Sequence, residues 1–494
     1  MTGMITVWAD HDLGVINPNI YGSFAEHLGR CVYGGLWVGP ESQVPNDEGL
    51  RTAAVEALRA MRLPILRWPG GCFADDYHWE WGVGAERRSR RNLWWTQPET
   101  NEFGTNEFLR LCAAVGCEPY LCVNVGSGTV EEAVNWMEYC NSAQDSRYAN
   151  LRRTHGHREP YGVRYWGVGN ENWGCGGSMT GQQYAYECRK YATFMRKLGV
   201  DVEGGVKLVA AGHGNDDAWD AEMFRYLHGS FHNLDAVSIH RYSFAGSWEH
   251  KAETLDPTAE HFYRLMGDVV GMEERVRRAR ALVEYYSPPG HPLELFMDEW
   301  GTWYRDTEEG LFQQAPLKDG LFAAAALNMF NRHSPVLAMT STAQTANVLQ
   351  ALLLTRGSET VLTPTYHAYE MMKGHQGATL LASRASSSNL ADSDGREYEA
   401  LSLSASRSED GQTLTLSVVN LSCEQDCATE IMLRGVDAIQ GATARILTAE
   451  STATANDFED GERVKPQAVP VAAGLPSFAH TFPAHSLTVI EIAL

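Results

Sequence analysis

Val163-Arg-Tyr-Trp-Gly-Val-Gly-Asn-Glu-Asn172 passes from an apolar run of β-branched and aromatic residues to the polar trio Asn170, Glu171 and Asn172. A run this short, with turn residues behind it, reads as a buried strand that stops at a polar edge. The same signature recurs on both sides of it. Apolar runs are predicted as strands at 19–24, 64–68, 119–125, 163–168, 207–211, 236–240, 293–297 and 336–342. Segments of helical period lie between them, among them 49–61, 105–115, 180–198, 218–227 and 317–332. Strands alternating with helices predict a parallel sheet. An open, doubly wound sheet uses the same alternation, so the strand ends must decide. Nearly every run closes on a polar residue: Glu26, Arg67, Asn124, Asn170 and Glu171, His240 and Tyr242, Glu299. A (β/α)₈ TIM barrel gathers all of these at one mouth, and the fold class expected is therefore α/β with such a barrel.

The pattern changes after Gly377. Residues 380–410 are rich in Ser, Ala and Asp, and Thr413–Val419 and Ser486–Ile492 then alternate with a period of two. That alternation predicts a C-terminal antiparallel β-sandwich, jelly-roll-like. Met4–Ala9 alternates in the same way ahead of the first barrel run, so it is expected to join the sandwich as an extra strand. The expected division is 1–16 for that strand, 17–377 for the barrel and 378–494 for the sandwich. Residues 450–463 carry few large apolar side chains and read as an exposed loop.

Composition narrows the function. The chain has 494 residues, 44% hydrophobic and 21% charged, enough to bury a sizeable core. With 40 Lys and Arg against 62 Asp and Glu the net charge is −22, which repels phosphate backbones and anionic lipid. Nucleic acid and membrane are therefore excluded as expected partners. No stretch approaches the roughly 20 apolar residues of a membrane span, and the start lacks a signal peptide's basic and apolar regions, so a cytoplasmic location is expected. None of the ten cysteines forms a C-x-x-C pair, and all are expected to be buried free thiols rather than metal ligands.

Familiar motifs fail on inspection. Gly126-Ser-Gly128-Thr-Val-Glu131 lacks the third glycine of a dinucleotide fingerprint, and Gly176-Gly-Ser178-Met-Thr180 lacks the last glycine of a nucleophile elbow. What remains is Glu171 in Val168-Gly-Asn-Glu-Asn172 and Glu299 in Phe296-Met-Asp-Glu-Trp300, each just beyond a strand. Cleaving an acetal takes one carboxyl to protonate the leaving oxygen and another to trap the oxocarbenium-like centre. Trp68, Trp79, Trp81, Trp94, Trp95, Trp166, Trp173, Trp300 and Trp303 lie near strand ends, where indoles offer stacking faces to sugars or pack the core.

Ordered blocks now add a resemblance. Tyr21–Gly35, Leu66–Phe73, Tyr77–Trp79, Thr100–Phe108, Gly167–Glu171, Ser238–Tyr242, Met297–Trp300 and Asn347–Gln350 resemble glycoside hydrolase family 51, the retaining α-L-arabinofuranosidases of clan A. They run in order from about residue 17 to 375. The resemblance implies a barrel followed by a jelly-roll sandwich, Glu171 as general acid/base and Glu299 as nucleophile. It places Arg67 and Tyr242 on the nucleophile side, and implies sugar contacts for Glu26, Asn170, Cys72 and Gln350, with Trp303 closing one wall. No metal or organic cofactor is implied. The implied substrates are arabinofuranose-containing oligosaccharides of arabinan or arabinoxylan, cut from the non-reducing end. A homo-oligomer is also implied, with a hexamer the assembly to test for. The residues alone leave open a β-xylosidase, an endo-acting glucanase or xylanase on the same dyad, or a non-catalytic sugar-binding protein.

Overall fold

A computed structural model describes residues 1–307, 310–472, 474 and 476–494, without the side chain of Val200. Eight parallel strands close into a barrel in which each neighbours the next in sequence: Gly22–Phe24, Ile65–Trp68, Glu118–Val123, Tyr165–Val168, Lys207–Ala211, Ala236–Ser243, Glu294–Thr302 and Leu337–Ala343. The lumen is filled by Ile65, Tyr120, Tyr165, Val209, Phe296 and Met339, so it is a packed core. A second apolar layer lies between strands and helices, and four of the tryptophans named above, Trp68, Trp79, Trp166 and Trp300, are buried in it. Those four are core residues, whereas Trp95, Trp173 and Trp303 line the cavity at the mouth.

Local sequence explains the element ends. The helix Gly181–Leu198 starts at Thr180, whose side chain accepts from Gln183 N while Gln183 reciprocates, a capping box. The helix Thr105–Val115 ends at Gly116, whose φ of 83° is the left-handed conformation a C-terminal glycine supplies. The first strand is shorter than its apolar run because Pro18 starts a 3₁₀ turn over Pro18–Tyr21.

Residues 379–493 supply eight strands, and Thr2–Val15 supplies a ninth, to one continuous sheet. The first strand runs antiparallel to Thr379–Ser386 on one side and parallel to Cys427–Arg434 on the other. That parallel pair departs from the all-antiparallel expectation: it arises because a strand from the far end of the chain slots between two strands already oriented by their own connections. Inward residues such as Ile5, Val7, Leu403, Leu416, Ile431, Phe478 and Ile490 share one apolar core, so the sheet folds over on itself.

The sandwich is joined to the barrel through the helix Leu317–Arg332, which is buried from Leu317 to Asn331. Asn328 donates to Ser417 O (3.2 Å) and accepts from Ser417 Oγ (2.6 Å), Asn331 donates to Ser404 Oγ and Tyr21 Oη, and Arg332 donates to Leu403 O. Among the described residues no helix is long and apolar enough to cross a membrane.

Candidate active site

The C-terminal ends of the barrel strands surround a cavity of about 550 Å³. The seventh strand furnishes two successive carboxylates because of a bulge. Its pairing with the sixth steps from Ser238↔Phe296 to His240↔Glu299, and with the eighth from Met297↔Thr340 to Trp300↔Thr342. One extra residue on the seventh strand breaks the strict alternation of faces, so Asp298 and Glu299 both meet the charges of the mouth. Glu299 accepts from Arg67 Nη1 (2.9 Å) and Tyr242 Oη (2.8 Å). Asp298 accepts from Tyr120 Oη (2.8 Å) and His240 Nε2 (3.0 Å), with Arg67 Nε at 3.5 Å.

His240 joins the two halves of the site. Its Nδ1 donates to Glu171 Oε1 at 2.8 Å and lies 3.6 Å from Glu299 Oε2. Burial would lower its pKa, but Glu299, Asp298 and Glu171 around it lift it to about 10, so the ring is an imidazolium at neutral pH and donates from both nitrogens. Burial would lift Asp298, yet Arg67 and His240 hold it at about 2. Burial also pushes the Glu299 carboxyl above its ordinary value; His240 and Arg67 pull against that, and Glu171 adds to it.

Glu171 follows the fourth strand with a φ of 43°, a left-handed conformation that costs a non-glycine residue on the order of 1–3 kcal/mol. The surrounding loop holds it there. Asp75, in the turn Cys72–Asp76 after the second strand, accepts from Asn170 N (2.7 Å), Asn172 Nδ2 (3.1 Å), Val125 N (2.6 Å) and Gly126 N (2.8 Å). Burial pushes that carboxyl up to about 7. Gly176 packs so closely that a Cβ would lie 2.2 Å from Asn170 O and 2.3 Å from Asp75 Oδ2. Oxygens of Glu171 and Glu299 approach within 4.8 Å of one another across the cavity.

The opposite wall is built around Glu26. Its carboxylate accepts from Phe73 N (3.1 Å), Trp95 Nε1 (2.9 Å) and Gln344 Nε2 (3.0 Å). Gly71 has no side chain because a Cβ there would come 2.8 Å from Glu26 Oε2. Burial, with Glu299 nearby, raises Glu26 to about 7. Asn170 Oδ1 accepts from Arg67 Nη2 at 2.5 Å. Trp303 stands edge-on to Tyr242 and to Trp248, which is 56% exposed at the rim.

Glu26, Arg67, Cys72, Asn170, Glu171, Tyr242, Glu299 and Trp303 thus come together at this mouth. Gln350 does not. Its Oε1 accepts from Thr302 N (2.9 Å) and its Nε2 donates to Asp319 O (2.6 Å) and Thr365 Oγ1 (3.3 Å), so it is a buried tie behind the seventh strand. Gln344, six residues earlier at the end of the eighth strand, reaches the cavity instead. The expectation of ten free thiols also fails. Cys72 and Cys175 form a disulfide across 103 residues, with Cα atoms 5.5 Å apart, because the barrel sets the turn after its second strand beside the loop after its fourth. The other eight are free, and Cys117 and Cys423 among them are half-buried.

His240, Asp298, Asp75, Gln344, Trp248 and Cys175 were not picked out as site residues from sequence. His240 ends a predicted strand two residues before Tyr242, and Asp298 adjoins Glu299, so both carried a local signal; Asp75 carried none. Two groups of described residues come near enough to hold a metal ion: Glu171, His240 and Glu299, and Cys72, Glu171 and Cys175. Both lie within the site described above, and in the second the two sulfurs are bonded to each other.

Comparison with known proteins bears on this geometry. Family profiles match residues 57–259 (Alpha-L-arabinofuranosidase 1 domain) and 298–486 (Alpha-L-arabinofuranosidase C-terminal domain). The chain is 40% identical over 471 residues to an intracellular exo-alpha-L-arabinofuranosidase of Bacteroides ovatus, covering 94% of this chain and 90% of the relative. The GH51 arabinofuranosidase of Xanthomonas axonopodis pv. citri superposes with a TM-score of 0.94 at 34% identity over 99% of both chains. An alpha-L-arabinofuranosidase of Thermotoga maritima in complex with arabinose superposes with a TM-score of 0.89 at 32% identity over all of both chains.

Proposed function

The chain belongs to the α-L-arabinofuranosidases of glycoside hydrolase family 51, and from that premise we propose that it removes terminal arabinofuranose from arabinan or arabinoxylan oligosaccharides by double displacement with retention. The observation that carries the mechanism is the close approach of Glu171 and Glu299. Carboxyl groups about 5–5.5 Å apart suit a nucleophile, whereas inversion needs room for a water.

Glu299 is the nucleophile in this reading. Arg67 and Tyr242 fix its two oxygens and aim them into the cavity. Glu171 protonates the leaving oxygen and then, as a base, activates the water that hydrolyses the glycosyl-enzyme. His240 orients Glu171 through one nitrogen and is anchored on Asp298 by the other. Formation of the glycosyl ester removes the negative charge of Glu299, which eases ionisation of Glu171 for the second step.

Glu26 and Asn170 are assigned to the hydroxyls of the furanose, with Gln344 taking the place expected of Gln350. Cys72 and Trp303 form walls. The Bacteroides relative, an intracellular exo-enzyme by name, supports both exo action and a location inside the cell.

The test compares p-nitrophenyl α-L-arabinofuranoside with p-nitrophenyl β-D-xylopyranoside. The arabinoside is expected to be strongly preferred, and Glu299→Ala to abolish turnover of it. Preference for the xyloside would move the assignment to a xylosidase. Glu171→Ala is expected to keep the first step on the aryl glycoside and lose the second, with azide restoring turnover as the glycosyl azide of retained configuration; an inverted azide would refute double displacement.

A further inference from the structure

The disulfide Cys72–Cys175 lies against the cavity, and its two ends differ in what holds them. Cys72 opens the turn Cys72–Asp76, which is fixed by Phe73 N on Glu26 and by the donors gathered on Asp75. Cys175 sits in the glycine-rich stretch 174–178, four residues after Glu171, where Gly177 and Ser178 both have positive φ. The bond therefore ties the turn after the second strand to the loop that carries Glu171. Sγ of Cys175 lies 3.6 Å from Glu171 Oε2 and 4.0 Å from Asn170 Nδ2.

We propose that Cys72–Cys175 is a redox-controlled positioning site for Glu171: oxidised, it holds the residue as a competent acid, and reduced, it releases the loop and weakens protonation of the leaving group. The inference rests on the acid/base reading of Glu171. The reductant is a dithiol, small molecule or protein. One of its thiolates attacks a sulfur of the pair, and the S–S electron pair leaves with the other sulfur, which takes up a proton. The reductant's second thiolate then closes its own disulfide and frees the remaining cysteine. Two electrons and two protons pass to the enzyme. Cys72 lines the cavity, and both cysteines are half-buried.

The experiment uses the full chain equilibrated with oxidised or reduced dithiothreitol, its thiol state read by mass after alkylation under denaturing conditions. kcat/KM, which reports the first step, is measured for p-nitrophenyl and for methyl α-L-arabinofuranoside. The methyl glycoside needs the acid; the aryl glycoside hardly does. Reduction is expected to lower kcat/KM for the methyl glycoside at least about tenfold relative to the aryl one, part of the 10²–10⁴-fold that a general acid supplies. Reoxidation should restore the ratio, and Cys175→Ala should hold the reduced-state ratio in either couple. An unchanged ratio, an equal loss on both substrates, or failure of Cys72 and Cys175 to pair under oxidised dithiothreitol would overturn the proposal. If Glu171→Ala shows the leaving-group dependence of a missing acid while the redox ratio stays flat, this inference alone falls. If Glu171→Ala retains full activity on the methyl glycoside, the reading of Glu171 falls with it.

Discussion

At the scale of single residues, His240 commits both ring nitrogens to carboxylates and bridges Glu171 to Asp298. Its pKa rises from an ordinary 6.5 to about 10 on folding. A raised value means that the folded state holds the proton more tightly. The stability this supplies is complete below about pH 6.5 and drains away as the pH climbs to about 10, at about 1.4 kcal/mol for each unit between the two values. Thermal melts from pH 6 to 10 should show the wild-type midpoint falling more steeply than that of His240→Gln, whose amide does not titrate. Parallel curves would remove His240 as the titrating group. The site was partly legible at this scale. Glu171 and Glu299 stood out because each follows an apolar run directly. Gln344 and Gln350 are six apart in one loop, and only the turn between them decides which reaches the cavity. Cys72 and Cys175 are 103 residues apart, and nothing in either neighbourhood points to the other.

Among the elements, strands and helices were the most legible part of the chain. Lys207–Ala211, Thr105–Val115 and Leu317–Arg332 begin and end where apolar periodicity places them. The bulge in Glu294–Thr302 was not legible, because an extra residue shows only once the neighbouring strands are aligned. Residues 169–178 form the loop that carries Glu171, and glycines in it are packing residues. Gly176→Ala would drive a Cβ into Asn170 O and Asp75. The variant is expected to fold, with the loop displaced, and to lose about 100-fold in kcat/KM, as misplacement of a reacting group by an ångström can cost. Circular dichroism with steady-state kinetics checks it, and near-wild-type kinetics would show that the loop yields without moving Glu171.

Across the whole molecule, the barrel and the sheet share the helix Leu317–Arg332, whose polar side chains are satisfied from the sheet side. A barrel cut at residue 377 would expose Asn328, Asn331 and the apolar residues beside them, so calorimetry of the full chain should show one transition and the fragment 1–377 should not fold. Asn328→Ala, which removes a buried donor and acceptor together, is expected to cost about 1–3 kcal/mol in denaturant unfolding. Two separate transitions would show that the halves are independent. The alternation of Met4–Ala9 exposed the strand character of that segment but not its neighbours, because a two-residue period says which face is apolar and nothing about partners. Those neighbours, Thr379–Ser386 and Cys427–Arg434, are made long after it. At about 5–20 residues per second, a ribosome needs roughly 20–75 s to reach the first of them, and throughout that time Ile5 and Val7 leave the exit tunnel with no sheet to enter. Translation therefore leaves an apolar strand unpaired while the rest of the chain is made, the kind of segment that chaperones bind, and strands synthesised late determine when this early one can be buried.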